Sequence, residues 1–126
     1  MAVKYRLVQK INPQKPNDPK KYYAAVVTRG DVSLRELSKE LSMISTVSIA
    51  DVMATIEALL EIIPRHLMQG EIVRLGEFGS FSVTLSSGSA ATAENFTAGL
   101  IKGLNLNFRP GKELDQALAA VSFEKE

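Results

Sequence analysis

His66 is the single histidine of the chain and the first candidate for acid–base chemistry. It follows Pro64 near the end of a predicted helix, and Glu61 and Glu71 are the carboxylates nearest to it in sequence. A general base must reach both an orienting group and a reactive proton, and the absence of cysteine removes a thiol nucleophile. A surface histidine stabilised by the negative end of a helix dipole is the simpler interpretation.

Metal and phosphate chemistry are not indicated by the sequence either. A zinc site needs clustered histidine or cysteine ligands, whereas Glu57 and Glu61 only have the spacing that is common on solvent-facing helices. The segment Gly76–Gly79, GEFG, lacks the lysine and the following helix that a phosphate-binding loop requires. We therefore expect no enzymatic activity, no cofactor, no metal ion and no small-molecule substrate.

Positive charge is concentrated in the first part of the chain. Residues 1–35 contain eight basic and two acidic residues, a net charge of +6, whereas residues 36–126 contain seven basic and twelve acidic residues, a net charge of −5. A basic segment on an acidic body attracts a polyanion such as nucleic acid, but it can equally dock on an acidic protein surface or remain solvated.

Three tyrosines alternate with these cations: Tyr5, Tyr22 and Tyr23. Aromatic rings among cations can stack on nucleic-acid bases. The half-buried face of a β-hairpin is the more ordinary explanation for such a pattern.

The composition is that of one globular domain with a short arm. The chain has 126 residues and a net charge of +1, and 45% of its residues are hydrophobic and 23% charged. No run of residues is apolar enough for a membrane span, and the N-terminal MAVKYRLVQK lacks the apolar stretch of a signal peptide. We expect a soluble, intracellular protein without a membrane partner.

The first half of the sequence predicts two strands and then two helices. Residues 3–11 and 21–28 read as strands, and three prolines make a loop between them. A capping box of Ser33 and Glu36 marks the start of the first helix, and Ser48 caps the second. Within the second helix Pro64 is expected to kink or weaken the last turn, and Gly70 to end the helix.

The second predicted helix carries an apolar stripe that is wider than packing on one small sheet requires. Its members recur at helical spacing over about five turns; they are Ile49, Val52, Met53, Ile56, Leu59, Leu60, Ile63 and Leu67. Burial on two sides, against a sheet and against a second subunit, fits this width. A central core helix in a monomer is the alternative.

The second half of the sequence predicts a β-hairpin, a protruding arm, a strand and a short final helix. Residues 71–87 alternate between polar and apolar positions around the GEFG reversal, where two glycines can take positive φ. Residues 86–99 are small and polar, which is typical of a flexible loop. The segment FRPGK breaks the next strand, and the final helix turns three residues inward, Leu114, Leu118 and Val121.

The order and spacing of these elements resemble the HU / integration host factor family of bacterial histone-like DNA-binding proteins. The resemblance covers residues 32–121, and its three signature segments are Gly70-Glu71, Phe78-Gly79-Ser80-Phe81 and Phe108-Arg109-Pro110-Gly111-Lys112. It implies an α+β fold in an HU-like intertwined dimer, whose helical body supports an antiparallel β-saddle and a flexible β-arm. Members of this family bind the minor groove of DNA, and HU and integration host factor are standard examples of minor-groove-binding proteins.

The resemblance also implies which residues contact DNA. Arg109 and Lys112 match the basic positions at the junction of the last strand and the last helix. Gly70 and Glu71 match the start of the saddle, where backbone N–H groups meet phosphate. Two further saddle cations, assigned by position alone, are Arg74 and Lys102. The implied dimer interface consists of Val52, Ile56, Leu59, Leu60, Ile63, Phe78 and Phe81.

The expected layout is a basic N-terminal β-hairpin extension at residues 1–31 and an HU-like domain at residues 32–126, with its arm at residues 84–104. The extension is an addition to the short family pattern, as in a divergent, HU-related branch. Its cations Lys20, Lys21 and Arg29 are candidate DNA contacts that the resemblance itself does not assign.

The arm departs from the family pattern. Family arms are rich in arginine and lysine and carry a proline that wedges between base pairs, whereas residues 82–107 hold one cation, Lys102, one acid, Glu94, and no proline. Phe96 is the candidate wedge, and Glu77 stands where the family turn has a glycine. Each lost phosphate contact lowers both the affinity and its salt dependence.

Two hypotheses follow from the sequence. The first is a homodimer, or a heterodimer with a paralogue, that binds double-stranded DNA without sequence specificity and shapes or compacts it in the bacterial cytoplasm as part of the nucleoid. The second is an HU-fold protein-interaction module that has lost strong DNA binding, which the nearly neutral arm and the acidic body favour.

Overall fold

The computed structural model describes residues 1–126 as an α+β protein with three helices and two small sheets. The strands are β1 (Ala2–Lys10), β2 (Lys21–Val26), β3 (Val73–Arg74), β4 (Gly79–Ser87), β5 (Ile101–Pro110) and β6 (Ser122–Lys125). The helices are α1 (Leu34–Ile44), α2 (Ile49–Leu67) and α3 (Lys112–Ala119). None of the helices is both long and apolar enough to cross a membrane.

The chain divides into two compact units. The N-terminal unit combines residues 1–32 with residues 117–126, and the second unit comprises residues 33–116. The sequence-based layout differs from this division at the C-terminus, since it assigned residues 117–126 to the HU-like domain. The difference arises because the last strand pairs with the first one.

Both long helices begin where their capping residues predict. The Ser33 hydroxyl accepts a hydrogen bond from the backbone N–H of Glu36 at 3.2 Å, and the Ser48 hydroxyl accepts one from Asp51 at 3.1 Å. These side chains satisfy N–H groups that have no partner in the first turn of a helix. Pro64 does not end α2, which continues to Leu67.

The second unit contains a three-stranded antiparallel sheet in the order β3-β4-β5, which we call the saddle sheet. Strands β3 and β4 are joined through a single 3₁₀ turn at Gly76–Phe78, where the sequence predicted a tight reversal. β4 and β5 pair from Gly79 opposite Pro110 outward to Ser87 opposite Ile101, with a bulge near Ser86. The outer part of this strand pair lies within the predicted arm, residues 84–104.

The N-terminal unit contains the second sheet, in the order β2-β1-β6, which we call the N-terminal sheet. β1 pairs antiparallel with β2, as the two predicted strands require, and parallel with β6. The sequence analysis missed β6 and extended the final helix to Val121, whereas α3 ends at Ala119. Leu118, which we expected to turn inward, is 63% exposed.

A single copy of the chain buries very little apolar surface. Val52 and Leu67 are the only buried hydrophobic side chains, and the one buried polar residue, Ser38, donates a hydrogen bond to the carbonyl of Leu34 at 2.7 Å. A chain of this size can bury roughly two-thirds of its unfolded surface. The buried core of a single copy falls short of that proportion.

The junction between the 3₁₀ turn and α3 has no space for a side chain at Gly111. A Cβ atom there would overlap the backbone carbonyl of Glu77, and the Gly111 N–H donates a hydrogen bond to the carbonyl of Phe78 at 3.1 Å. We expect Gly111→Ala to lower the free energy of unfolding by about 1–3 kcal/mol, since overpacking forces the backbone to shift. Chemical denaturation measures the effect.

Gly103→Ala is the matched control, because a Cβ atom at Gly103 in β5 meets nothing within 4 Å. It should change the free energy of unfolding by less than about 0.5 kcal/mol. Equal effects of the two substitutions would contradict the steric explanation.

Candidate nucleic-acid interface

A row of three polar side chains crosses the saddle sheet. Arg74 on β3 lies opposite Ser80 on β4, and Ser80 lies opposite Arg109 on β5. Directly opposed residues of neighbouring antiparallel strands point to the same face. The sequence named both arginines, and the strand register brings them together on one face with a hydroxyl between them.

Two glycines in the turn below this row adopt backbone conformations that other residues rarely take. Gly76 has φ of 57° and Gly79 has φ of 148°, as the GEFG pattern predicted. A Cβ atom on Gly79 would lie 2.6 Å from the carbonyl oxygen of Arg109 and 2.7 Å from the ring of Phe108. Gly79 therefore lets β5 approach closely enough to hold Arg109 in the row.

Aromatic packing supports the row from the other side of the sheet. Phe81 and Phe108 lie opposite each other in the register with ring centroids 5.0 Å apart, and Phe78 lies 6.0 Å from Phe108. Such tilted ring pairs are favourable beyond the area they bury. On the polar side, a shallow depression of about 420 Å³ is lined by Arg74, Gly76, Glu77, Gly79, Ser80, Arg109, Pro110 and Gly111.

The same face continues along the arm as a series of uncharged polar side chains: Ser82, Thr84 and Ser86 on β4 and Asn105 and Asn107 on β5. Asn107 donates a hydrogen bond to Thr84 at 3.1 Å, and Asn105 donates one to Ser86 at 2.8 Å. Each bond occupies one N–H of an amide, which leaves the second N–H and the carbonyl oxygen exposed to solvent. The sequence analysis did not name these residues, although their strict alternation in SFSVTLS and LNLNF was the available signal.

Charge is unevenly distributed over the second unit. The three strands of the saddle sheet contain three cations, Arg74, Lys102 and Arg109, and no acid. The acids of this unit include five on its two long helices: Glu36, Glu40, Asp51, Glu57 and Glu61. Phe81 and Leu106, on the apolar face of the sheet, line a cavity together with residues of α2. The row of Arg74, Ser80 and Arg109 therefore lies on the face of the sheet opposite to α2.

Two other predicted cations lie near the ends of β5. Lys112 is the exposed first residue of α3, three residues beyond Arg109. Lys102 lies in the bulged region of β5 between Ile101, opposite Ser87, and Gly103, opposite Ser86. Phe96, the candidate wedge, is 41% exposed and follows a turn at residues 93–95.

The backbone groups predicted to contact phosphate at the start of the saddle are already occupied. The N–H of Gly70 donates to the carbonyl of Leu67 at 3.0 Å, and that of Glu71 donates to the carbonyl of His66 at 3.2 Å. These are the capping bonds of α2, with Gly70 at φ of 81°. Gly70 thus lies just beyond the end of α2, as the sequence predicted, and its N–H already has a partner; the phosphate contact itself stays a prediction.

His66 is in contact with one carboxylate. Its Nδ1 lies 3.1 Å from Oε1 of Glu71, and both side chains are about half exposed. Exposed pairs of this kind contribute little to stability. No group of three or more histidine, cysteine, aspartate or glutamate side chains is arranged to hold a metal ion.

An open apolar cavity of about 510 Å³ lies in the second unit; it is lined by Leu34, Ile56, Glu57, Leu59, Leu60, Ile63, Pro64, Leu67, Phe81 and Leu106. Leu60 at its edge is 75% exposed. Five of the seven residues predicted at the dimer interface line this cavity. Val52 is instead buried within the unit, and Phe78 is exposed in the 3₁₀ turn.

The candidate cations of the extension all lie in the N-terminal unit. Lys21 begins β2 opposite Lys10, and Lys20 precedes it in the loop. Arg29 lies beyond the end of β2 and lines a cavity together with Lys4. The structure describes these residues as exposed.

Comparisons with known proteins agree with this architecture. A family model described as HU-HIG, an HU domain fused to wHTH, Ig, or Glycine-rich motif, matches residues 1–125. Among solved structures, a protein from Bacteroides vulgatus ATCC 8482 has a similar fold, with a TM-score of 0.68 and 18% sequence identity. The similarity covers 98% of this chain and 47% of that one, which is named a "Putative bacterial DNA binding protein". No curated protein matches the sequence.

Proposed function

This chain belongs to the HU-HIG family of HU domains fused to other domains, and from that premise we propose that it binds double-stranded DNA without sequence specificity and shapes or compacts it. The observation that carries the proposal is the row of Arg74, Ser80 and Arg109 on the exposed polar face of the saddle sheet. Arginine is suited to phosphate because its planar guanidinium donates two parallel hydrogen bonds. The similar protein from Bacteroides vulgatus is named for DNA binding too. We place the protein at the nucleoid in the cytoplasm.

The uncharged polar series on the arm extends this surface. Amide and hydroxyl groups such as those of Asn105, Asn107 and Ser82 donate hydrogen bonds to phosphates and to the acceptors of the minor groove. Contacts of this kind give less salt dependence than the cations that they replace. Lys112 and Lys102 supply the remaining saddle charges, and Phe96 on the exposed turn serves as the wedge that opens a base step.

The proposed active form is a homodimer, or a heterodimer with a paralogue. Of the large apolar side chains of α2 and of the saddle sheet, only Val52 and Leu67 are buried in one chain, and the cavity of about 510 Å³ is almost entirely apolar. A contiguous apolar surface of this kind marks a protein–protein interface. A second copy would cover it in a two-fold arrangement, which also doubles the number of arginine rows.

The second candidate function is an HU-fold module that binds another protein. The arm favours it, because the residues from Ser82 to Asn107 include one cation and one acid, Lys102 and Glu94. The absence of any acid from the saddle strands, however, favours a polyanion as the ligand of this face.

Binding of the purified protein to a labelled random-sequence DNA duplex tests the proposal. With Arg74, Arg109 and Lys112 from each subunit on phosphates, affinity should fall about a thousandfold between about 50 mM and about 200 mM salt. The readout is fluorescence anisotropy over a series of salt concentrations. Absence of binding at the lowest salt would overturn the proposal and favour the protein-interaction module.

A further inference from the structure

The two faces of the N-terminal sheet differ sharply in character. The register places Tyr5 opposite Val26 and Val3 opposite Phe123, so one face is mainly apolar and aromatic, with Lys125 as its single charged residue. All four cations of β1 and β2 point to the other face, which we call the basic face: Lys4, Arg6, Lys10 and Lys21. Glu124, opposite Lys4, is the single acid that the three strands place on that face.

The basic face keeps a net positive charge, since its four cations share one acid, Glu124. None of the four cations has a carboxylate within salt-bridge distance. Lys10 and Lys21 lie directly opposite each other in the antiparallel ladder. Like charges in that position destabilise a sheet, and a bound polyanion would relieve the repulsion.

The geometry of the basic face is that of a linear strip. Lys4, Arg6 and Lys10 lie along one strand, and six residues of strand span about 20 Å. The Nζ of Lys10 lies 5.5 Å from the centre of the Tyr23 ring, which holds this cation on the strip. Arg29 adds a further cation beside Lys4, at one end of the strip.

We propose that the basic face of the N-terminal sheet is a second DNA-binding surface, which contacts the phosphate backbone of a duplex through Lys4, Arg6, Lys10 and Lys21. The inference rests on the proposed DNA binding and adds to it a surface on the other unit of the chain. It also assigns Lys4, Arg6 and Lys10 a role that the sequence analysis gave only to Lys20, Lys21 and Arg29.

A nucleic-acid duplex fits this strip better than an acidic protein surface does. Duplex DNA carries one charge for about every 1.7 Å of its axis, so a strip of about 20 Å spans a length of duplex with roughly a dozen phosphates, several of which face it. The four cations can therefore contact phosphates whatever the base sequence of the duplex. The strip thus supplies phosphate contacts that the arm, with its single cation, lacks.

The test compares two double variants that remove the same charge from the same unit. Lys4→Gln/Arg6→Gln removes two cations from the basic face, and the control, Lys15→Gln/Lys125→Gln, removes one from the hairpin loop and one from the opposite face. In the DNA-binding assay, loss of two phosphate contacts from each subunit of the proposed dimer should reduce the slope of log affinity against log salt by about 3.6. The control should leave this slope close to that of the wild type.

Lysine acetylation of the wild-type protein gives a readout that does not depend on how a variant folds. Bound duplex should protect Lys4, Lys10 and Lys21 from the reagent and leave Lys125 reactive, as measured by mass spectrometry. If the wild type binds DNA but these lysines are not protected and both double variants have the wild-type slope, the second surface is overturned while the proposed function stands. If the wild type does not bind DNA at all, both proposals fail.

Discussion

Replacing Arg74 and Arg109 together by glutamine is expected to remove most of the DNA affinity of the protein. The two side chains flank Ser80 on one face, and only Lys102 adds another cation to the strands of that sheet. A charge-assisted hydrogen bond contributes about 1.5 kcal/mol or more, which is about tenfold in affinity for each arginine. In a two-fold dimer four contacts are lost, so the salt slope should fall by about 3.6.

The matched control for this prediction is Arg35→Gln/Arg65→Gln. It makes the same change in net charge within the same unit, but on the exposed surfaces of α1 and α2. Both double variants should unfold at the wild-type temperature, because all four side chains are exposed. A loss of affinity that is equal in the two variants would indicate general electrostatic attraction and refute a specific role for the arginine row.

The features that the sequence predicted correctly depend on local chemistry. The capping serines Ser33 and Ser48 fix the starts of α1 and α2 through hydrogen bonds to residues three positions away. Gly76 and Gly79 take the positive φ values that their positions in the turn require. In each case the determining contacts lie within a few residues along the chain, so the local sequence is sufficient to predict the feature.

The features that the sequence analysis missed depend on pairing between distant segments. β6 is a four-residue strand after a helix, and it forms only because β1, about 120 residues earlier, offers an unpaired edge. The basic face needs the register that puts Lys21 opposite Lys10 across a long loop. Alternation in VKYRLVQK fixes which β1 residues share a face, but not which residues of β2 join them.

The candidate interface was only partly predictable, again because it depends on pairing between distant segments. Arg74 and Arg109 were identified one by one, from position and from resemblance, whereas their alignment through Ser80 follows from the register of three strands. The N–H of Gly70, which the resemblance suggested as a phosphate contact, donates to the carbonyl of Leu67 at the end of α2. Whether an N–H is free depends on how the preceding helix ends, and the sequence motif does not specify that.

Leu60→Asp is expected to convert the proposed dimer into monomers. Leu60 is 75% exposed in the single chain and lies at the edge of the apolar cavity on α2. Burying a leucine contributes about 1.5–3 kcal/mol, and two-fold symmetry counts it twice. An unpaired carboxylate in its place adds a desolvation penalty, so the dissociation constant should rise at least about a hundredfold. Sedimentation velocity over a range of concentrations measures this.

Met43→Asp distinguishes loss of the interface from the mere addition of a charge. Met43 is as exposed as Leu60 but lies near the end of α1 and does not line the cavity, so its variant should stay dimeric. Because a monomer presents half as many arginine rows to one duplex, Leu60→Asp should also lower DNA affinity, which Met43→Asp should leave unchanged. A wild-type protein that sediments as a monomer at every concentration would refute the homodimer, and restoration of dimer mass by a paralogue would then identify the heterodimer.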